Sequence, residues 1–199
     1  MAVTEQGPGG GWFQQRIKNI LFSPAEEWDR IDTEPATVRS LYTRYACILA
    51  AIGPVARLIG EQMFGSQGFY LRIHPSLVHS LVGAIVGYGL SLAGVFVLAL
   101  AIDMLAPSFG GTRNRIQALK VAVYSWTAAW IFAVFQIVPQ VSALSIIGVY
   151  SLYLLYLGIP KLMKSPADKS LIYSILSIVV AMAVWIVAAV VAGSLIAFA

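Results

Sequence analysis

Ala118–Ile159, ALKVAVYSWTAAWIFAVFQIVPQVSALSIIGVYSLYLLYLGI, carries a single charged residue, Lys120. A bilayer-spanning helix needs about 20 apolar residues. The run is too long for one such helix and just long enough for two, and Pro139 in Val138-Pro139-Gln140 interrupts it where two would meet. Reading it as one very long kinked segment would give four spans; reading it as a hairpin gives five.

The other apolar stretches are Leu41 to Ile59, Leu77 to Leu105 and Leu171 to Ala199, and the short segments between them hold most of the Lys and Arg. The expected spans are therefore 39–60, 77–105, 117–138, 141–162 and 170–198. The fold class is all-α, a polytopic membrane helix bundle with five transmembrane helices and short amphipathic N-terminal helices. Composition agrees: 59% hydrophobic and 11% charged residues, with mean hydropathy +0.80, would leave a soluble domain unable to cover its apolar surface. The single cysteine, Cys47, excludes an internal disulfide and reads as a packing residue. A net charge of +4 comes from cations dispersed among membrane-flanking loops, so no nucleic acid partner is expected.

Residues 1–38 lack the apolar core of a signal peptide, so the first span is expected to act as its own insertion signal. Met1 to Gly11, with Gly7-Pro8-Gly9-Gly10-Gly11, reads as a flexible tail (1–11). Residues 12–38 read as cytoplasmic amphipathic or interfacial helices. Trp12, Phe13, Ile17, Ile20 and Leu21 recur at helical spacing beside Arg16 and Lys18, which suits a helix in the headgroup region or one packed on the protein's own loops. Ser23-Pro24-Ala25-Glu26 has the pattern of a second helix start, with Ser as N-cap and Pro at the first helical position, and Trp28 and Ile31 follow on its apolar face. Glu26 and Glu27 then meet the positive end of the helix dipole rather than serving as catalytic carboxylates.

Loop cations set the orientation. Arg16, Lys18, Arg30, Arg39, Arg113, Arg115, Lys120, Lys161, Lys164 and Lys169 fall on one side of the membrane; Arg72 is the clear cation on the other, with Arg57 near that boundary. The N-terminus is expected in the cytoplasm and the C-terminus on the opposite side.

Gly83, Gly87 and Ser91 lie four apart in the second span and make a smooth helix-packing face; Ala188 with Ala192 and Ala189 with Gly193 repeat the theme in the fifth. Gly53-Pro54 is expected to bend the first span. The candidate intramembrane polar residues are Arg44, Arg57, Asp103 and Gln136. Arg57 and Glu61 have ion-pair spacing, and Asp103 is within reach of Arg44 or Arg113. The interfacial candidates are Trp12, Phe13, Arg16, Lys18 and Trp28. No metal is expected, because His74 and His79 are five apart with Pro75 between them and no carboxylate cluster beside them. No cofactor is expected, nothing orients a nucleophile and base, and Gly110-Gly111 reads as a helix stop rather than a phosphate loop.

Leu21-Phe22-Ser23-Pro24-Ala25-Glu26-Glu27-Trp28-Asp29-Arg30-Ile31, Gly110-Gly111 ahead of Ala118-Leu119-Lys120 and Tyr124-Ser125, and Tyr150-Ser151-Leu152-Tyr153-Leu154-Leu155-Tyr156-Leu157-Gly158 carry a resemblance to a known family. From about Leu21 onward the chain resembles the bacterial branch of the Yip domain family, the Ypt/Rab-interacting-protein-like membrane proteins. The resemblance implies a cytoplasmic N-terminal region, five membrane helices and a bacterial inner membrane. Eukaryotic relatives associate with Rab-type GTPases and with one another in vesicle traffic; their Asp-Leu-Tyr-Gly-Pro element is absent here, and Gly87-Tyr88-Gly89-Leu90-Ser91 echoes the Gly-Tyr pattern of their membrane region.

Two functions follow from different classes. The first is a non-enzymatic membrane scaffold or adaptor, whose partners are the lipid bilayer, anionic lipid, an unidentified membrane or cytoplasmic protein, and a second copy in a homo-oligomer. The second is a small oligomeric permease or channel with a pathway lined by Arg44, Asp103, Gln136 and Tyr124, Tyr150, Tyr153 and Tyr156.

Overall fold

The computed structural model describes residues 11–67, 72–73 and 75–197. Residues 1–10 of the expected tail, His74, and the end of the fifth expected span at 198 lie outside the described residues. Five helices are long and apolar enough to cross a membrane. Two short amphipathic helices precede them, α1 (Gly11–Phe22) and α2 (Pro24–Thr33). The spans are α3 (Val38–Phe64), α4 (Leu77–Phe109), α5 (Arg115–Ile137), α6 (Pro139–Met163) and α7 (Ala167–Ala197).

Local chemistry explains the boundaries. Pro24 opens α2, but the Ser23 hydroxyl makes no cap hydrogen bond. A reciprocal capping box forms at the start of α3, where the Thr37 side chain accepts from Ser40 N and the Ser40 hydroxyl accepts from Thr37 N. Asn114 caps α5 through its side-chain oxygen, which accepts from Ile116 N and Gln117 N at 3.1 Å each. Gly110 adopts φ +72° and stops α4, a conformation that favours glycine. Between α5 and α6, Val138 is extended and Pro139 starts the next helix. Beyond α3, Gly65 leads into a two-residue antiparallel ladder pairing Ser66 with Ile73 and Gln67 with Arg72.

The spans alternate in direction, so one end of the bundle gathers the starts of α3, α5 and α7 with the ends of α4 and α6. That end also carries α1 and α2 and is called the capped end; the other is the open end. α5 is the centre: 61% of its most apolar window is buried, against 11% for α7. It packs on α3, α4 and α6, while α7 leans on α4 and on the capped half of α6. Among the described residues the spans depart from α geometry in four places: a π-helical turn at Tyr42–Ala46 and 3-10 segments at Ala106–Phe109, Ala133–Ile137 and Pro139–Val149.

Glycines mark the closest approaches. A Cβ added at Gly60 would lie 2.7 Å from the backbone oxygens of Gln136 and Ile137, and one at Gly158 would lie 2.7 Å from the Trp28 ring. A Cβ at Gly87 would meet nothing within 4 Å. Gly158→Ala is therefore expected to destabilise the protein by about 1–3 kcal/mol, the usual penalty for overpacking, whereas Gly87→Ala should change stability by less than about 0.5 kcal/mol. Thermal unfolding of both variants in lipid nanodiscs checks the contrast.

Candidate functional site

The capped end is built around one buried guanidinium. Apolar residues at helical spacing turn α1 so that Arg16 and Ile20 face the bundle while Gln14, Gln15 and Lys18 stay exposed. Arg16 Nη1 donates to Glu27 Oε1 at 2.6 Å, with both side chains almost wholly buried. Its Nη2 pairs with Glu34, and Asn19 Nδ2 donates to the second Glu27 oxygen at 2.9 Å. The guanidinium carbon lies 5.4 Å from the ring centroids of both Trp12 and Tyr124. Burial disfavours the charged form of Arg16, but the Glu34 hydrogen bond and the charges of Glu34 and Glu27 outweigh it, and the net shift of its pKa is upward. Arg16 therefore remains a cation at any pH the protein meets.

Two of the four acids of α2, Asp29 and Asp32, find partners on the spans and at the end of α6. Lys161 Nζ donates to Asp29 Oδ1 at 2.6 Å and to Ala25 O at 2.5 Å, and Lys164 pairs with Asp32. Lys120 Nζ, buried in α5, donates to Ile31 O at 2.8 Å and Glu34 O at 2.6 Å, and Gln117 Nε2 donates to Asp32 O at 2.9 Å. Tyr150 OH reaches Leu21 O at 3.1 Å. Trp28 is fully buried against Gly158, and Trp12 and Phe13 pack edge-on to Tyr45 at centroid distances of 6.4 and 5.5 Å. α1 thus packs on the bundle through Trp12, Phe13, Arg16 and Ile20.

A second feature occupies the open half. A cleft of about 390 Å³ lies between α3, α4, α5 and α7. Its α4 wall contains Gly83, Gly87, Ser91 and Gly94, and its α7 wall Ala188, Ala189 and Ala192. Gly53 and Pro54 of α3 and Ala129 and Ala133 of α5 form the opposite side. In the small-residue ladder of α4, Gly83 is buried and a Cβ on Gly87 would meet open space. Towards the capped end the lining ends at Ala50, Leu98 and Trp126, above a layer in which Tyr45, Leu49, Ile102 and Ala122 are buried. Trp130 Nε1 donates to Ser91 Oγ at 2.9 Å in the cleft wall.

Two of the four polar candidates, Arg57 and Gln136, meet at this cleft. Arg57 Nε donates to Glu61 Oε1 at 2.7 Å. The other two lie elsewhere. Asp103 is buried near the capped end and accepts from Arg113 Nη2 at 3.2 Å, and Arg44 is exposed on α3. Tyr124 is buried in the capped half, while Tyr153 and Tyr156 face outward. Among the described residues no group of three or more His, Cys, Asp or Glu is placed to hold a metal.

The Yip1 domain model matches residues 18–189. The chain belongs to the Yip1 domain family. That match takes in the last five residues of α1, all of α2, the first four spans and α7 as far as Ala189, so α2 and the bundle fall within one domain. The chain is also 29% identical over 162 residues to the inner membrane protein YohC of Escherichia coli K12, an alignment covering 77% of this chain and 82% of that protein. The YohC protein of Escherichia coli O6:H1 matches to the same extent. No solved structure matches the chain.

Lys120, Lys161, Trp126 and Trp130 were not singled out as site residues by the sequence. The two lysines sit where the positive-inside pattern places them, and only the fold reveals that they hold α2. Removing Arg16 leaves the buried Glu27 carboxylate with only the exposed Arg30, 3.5 Å away, as a cation, so Arg16→Gln is expected to cost about 3 kcal/mol, the low end for breaking a buried pair. The loss should fall on the cap, as faster hydrogen exchange in α1 and α2 with exchange in α7 unchanged.

Proposed function

We propose that this Yip1 family member is a non-enzymatic scaffold or adaptor of the bacterial inner membrane, which holds other membrane components and does not pass solute across. The observation that supports it best is the blind cleft. It opens in one half of the bundle and ends on a packed aromatic and aliphatic layer, and Asp103, Arg44 and the tyrosines that would line a pathway do not border it. The inner membrane location follows the name of the Escherichia coli relative. The capped end belongs in the cytoplasm, because the loops there carry the excess of Lys and Arg, and the C-terminus then lies on the opposite side. Self-association through α7 at Gly193, where an added Cβ has no neighbour within 4 Å, would be part of that role.

Ion and small-solute efflux from proteoliposomes tests this directly. The wild-type protein, Asp103→Asn and Arg44→Gln should all match empty liposomes. Efflux above that baseline, abolished in either variant, would replace the adaptor with a permease.

A further inference from the structure

The cleft has dimensions and chemistry that the adaptor reading does not use. Along α4 its lining runs from Gly83 to Leu98, about 22 Å at 1.5 Å per residue. One leaflet contributes about 15 Å of hydrocarbon, so a lipid chain drawn from it fits within that length. At the floor α4 and α7 approach closely, a Cβ on Gly94 lying 3.3 Å from Val184 Cγ1, which suits a narrow chain rather than another helix between them.

The mouth adds a charge. Arg57 commits only Nε to Glu61, and its side chain is about half exposed. Among the described residues neither of its Nη groups has a hydrogen-bond partner, and neither does the Gln136 amide beside it at the cleft. A guanidinium fork with free terminal donors matches a phosphate in geometry as well as charge. Trp185 borders the same cleft nearer its floor, beside Val184, with 65% of its surface exposed.

We propose that the cleft binds one acyl chain of an anionic phospholipid drawn from the leaflet at the open end, with the lipid phosphate held by Arg57 and Gln136. The chain lies against Gly87 and the Ala188–Ala192 face, and the small side chains there keep the slot open. Glu61 opposes the anionic head, so it sets the affinity lower than Arg57 alone would.

Trp126 and Trp130 line the slot and report on it. The test uses a Trp185→Phe background, which removes the indole most exposed to bulk lipid, in phosphatidylcholine bilayers containing a minor fraction of brominated phosphatidylglycerol or brominated phosphatidylcholine. Brominated phosphatidylglycerol should quench more strongly, with an enrichment of about fivefold, equivalent to about 1 kcal/mol for one cation at a lipid surface. Gly87→Leu fills the slot and should remove the excess quenching. Arg57→Gln should leave quenching by an acyl chain but abolish the preference for the anionic lipid, and Glu61→Gln should raise that preference. Equal quenching by both lipids in the parent protein, or an excess that survives Gly87→Leu in a variant with unchanged thermal unfolding, would overturn the proposal. The inference extends the adaptor reading without depending on the efflux result, since a protein that leaks solute can still select the anionic lipid and one that does not leak can fail to.

Discussion

Lipid is as apolar as leucine, so five helices in a bilayer gain little by hiding aliphatic side chains from it. Association has to come from close approach and from polar bonds that the bilayer cannot supply. The structure uses both around α5. Gly60 and Gly148 let backbone meet backbone, as shown by the 2.7 Å and 3.0 Å separations an added Cβ would have from Gln136 O and Ala129 Cα. Tyr45 OH and Thr127 Oγ1 are joined at 2.8 Å between α3 and α5, and Ser151 Oγ accepts from Ala129 N at 2.8 Å between α6 and α5. α7 has fewer such contacts beyond its capped half, and a cleft remains open beside it.

The cap draws on the same shortage of alternatives. Away from water, Glu27 and Arg16 stabilise one another only if both stay in place, and their neighbours Asn19, Trp12 and Tyr124 complete the shell. Lys120, Lys161 and Lys164 lie on the side of the membrane that a positive-inside pattern marks, yet their charges are spent on α2. Arg39, Arg44, Arg115 and Lys169 remain exposed at the same end. A count of loop cations therefore reads sidedness well and overstates the charge presented to lipid headgroups.

The number of spans was legible because charge is so costly in hydrocarbon that its absence is written into the chain, and Pro139 punctuated the one ambiguous run. The Arg57–Glu61 pair was legible from i,i+4 spacing alone; for Asp103 the sequence left Arg44 and Arg113 open, and the fold takes Arg113. The cap was half legible: the amphipathic pattern of α1 is in the sequence, but a face that suits headgroups also suits a bundle, and only the docked acids decide between them. The cleft was not legible. Gly83, Gly87 and Ser91 describe one smooth wall, and no spacing within a helix states how far away the opposite wall stands.

The 3-10 turns of Ala133–Ile137 and Pro139–Val149 bear on how the bundle meets bilayers of different thickness. A 3-10 segment rises about 2.0 Å per residue, against 1.5 Å in an α-helix. The eleven residues of Pro139–Val149 therefore hold about 5 Å of extension that rewinding to α would withdraw. Hydrophobic mismatch is ordinarily absorbed by tilting whole helices or deforming the lipid; here the hairpin at the open end spans its share of the bilayer with fewer residues than an α-helix would need.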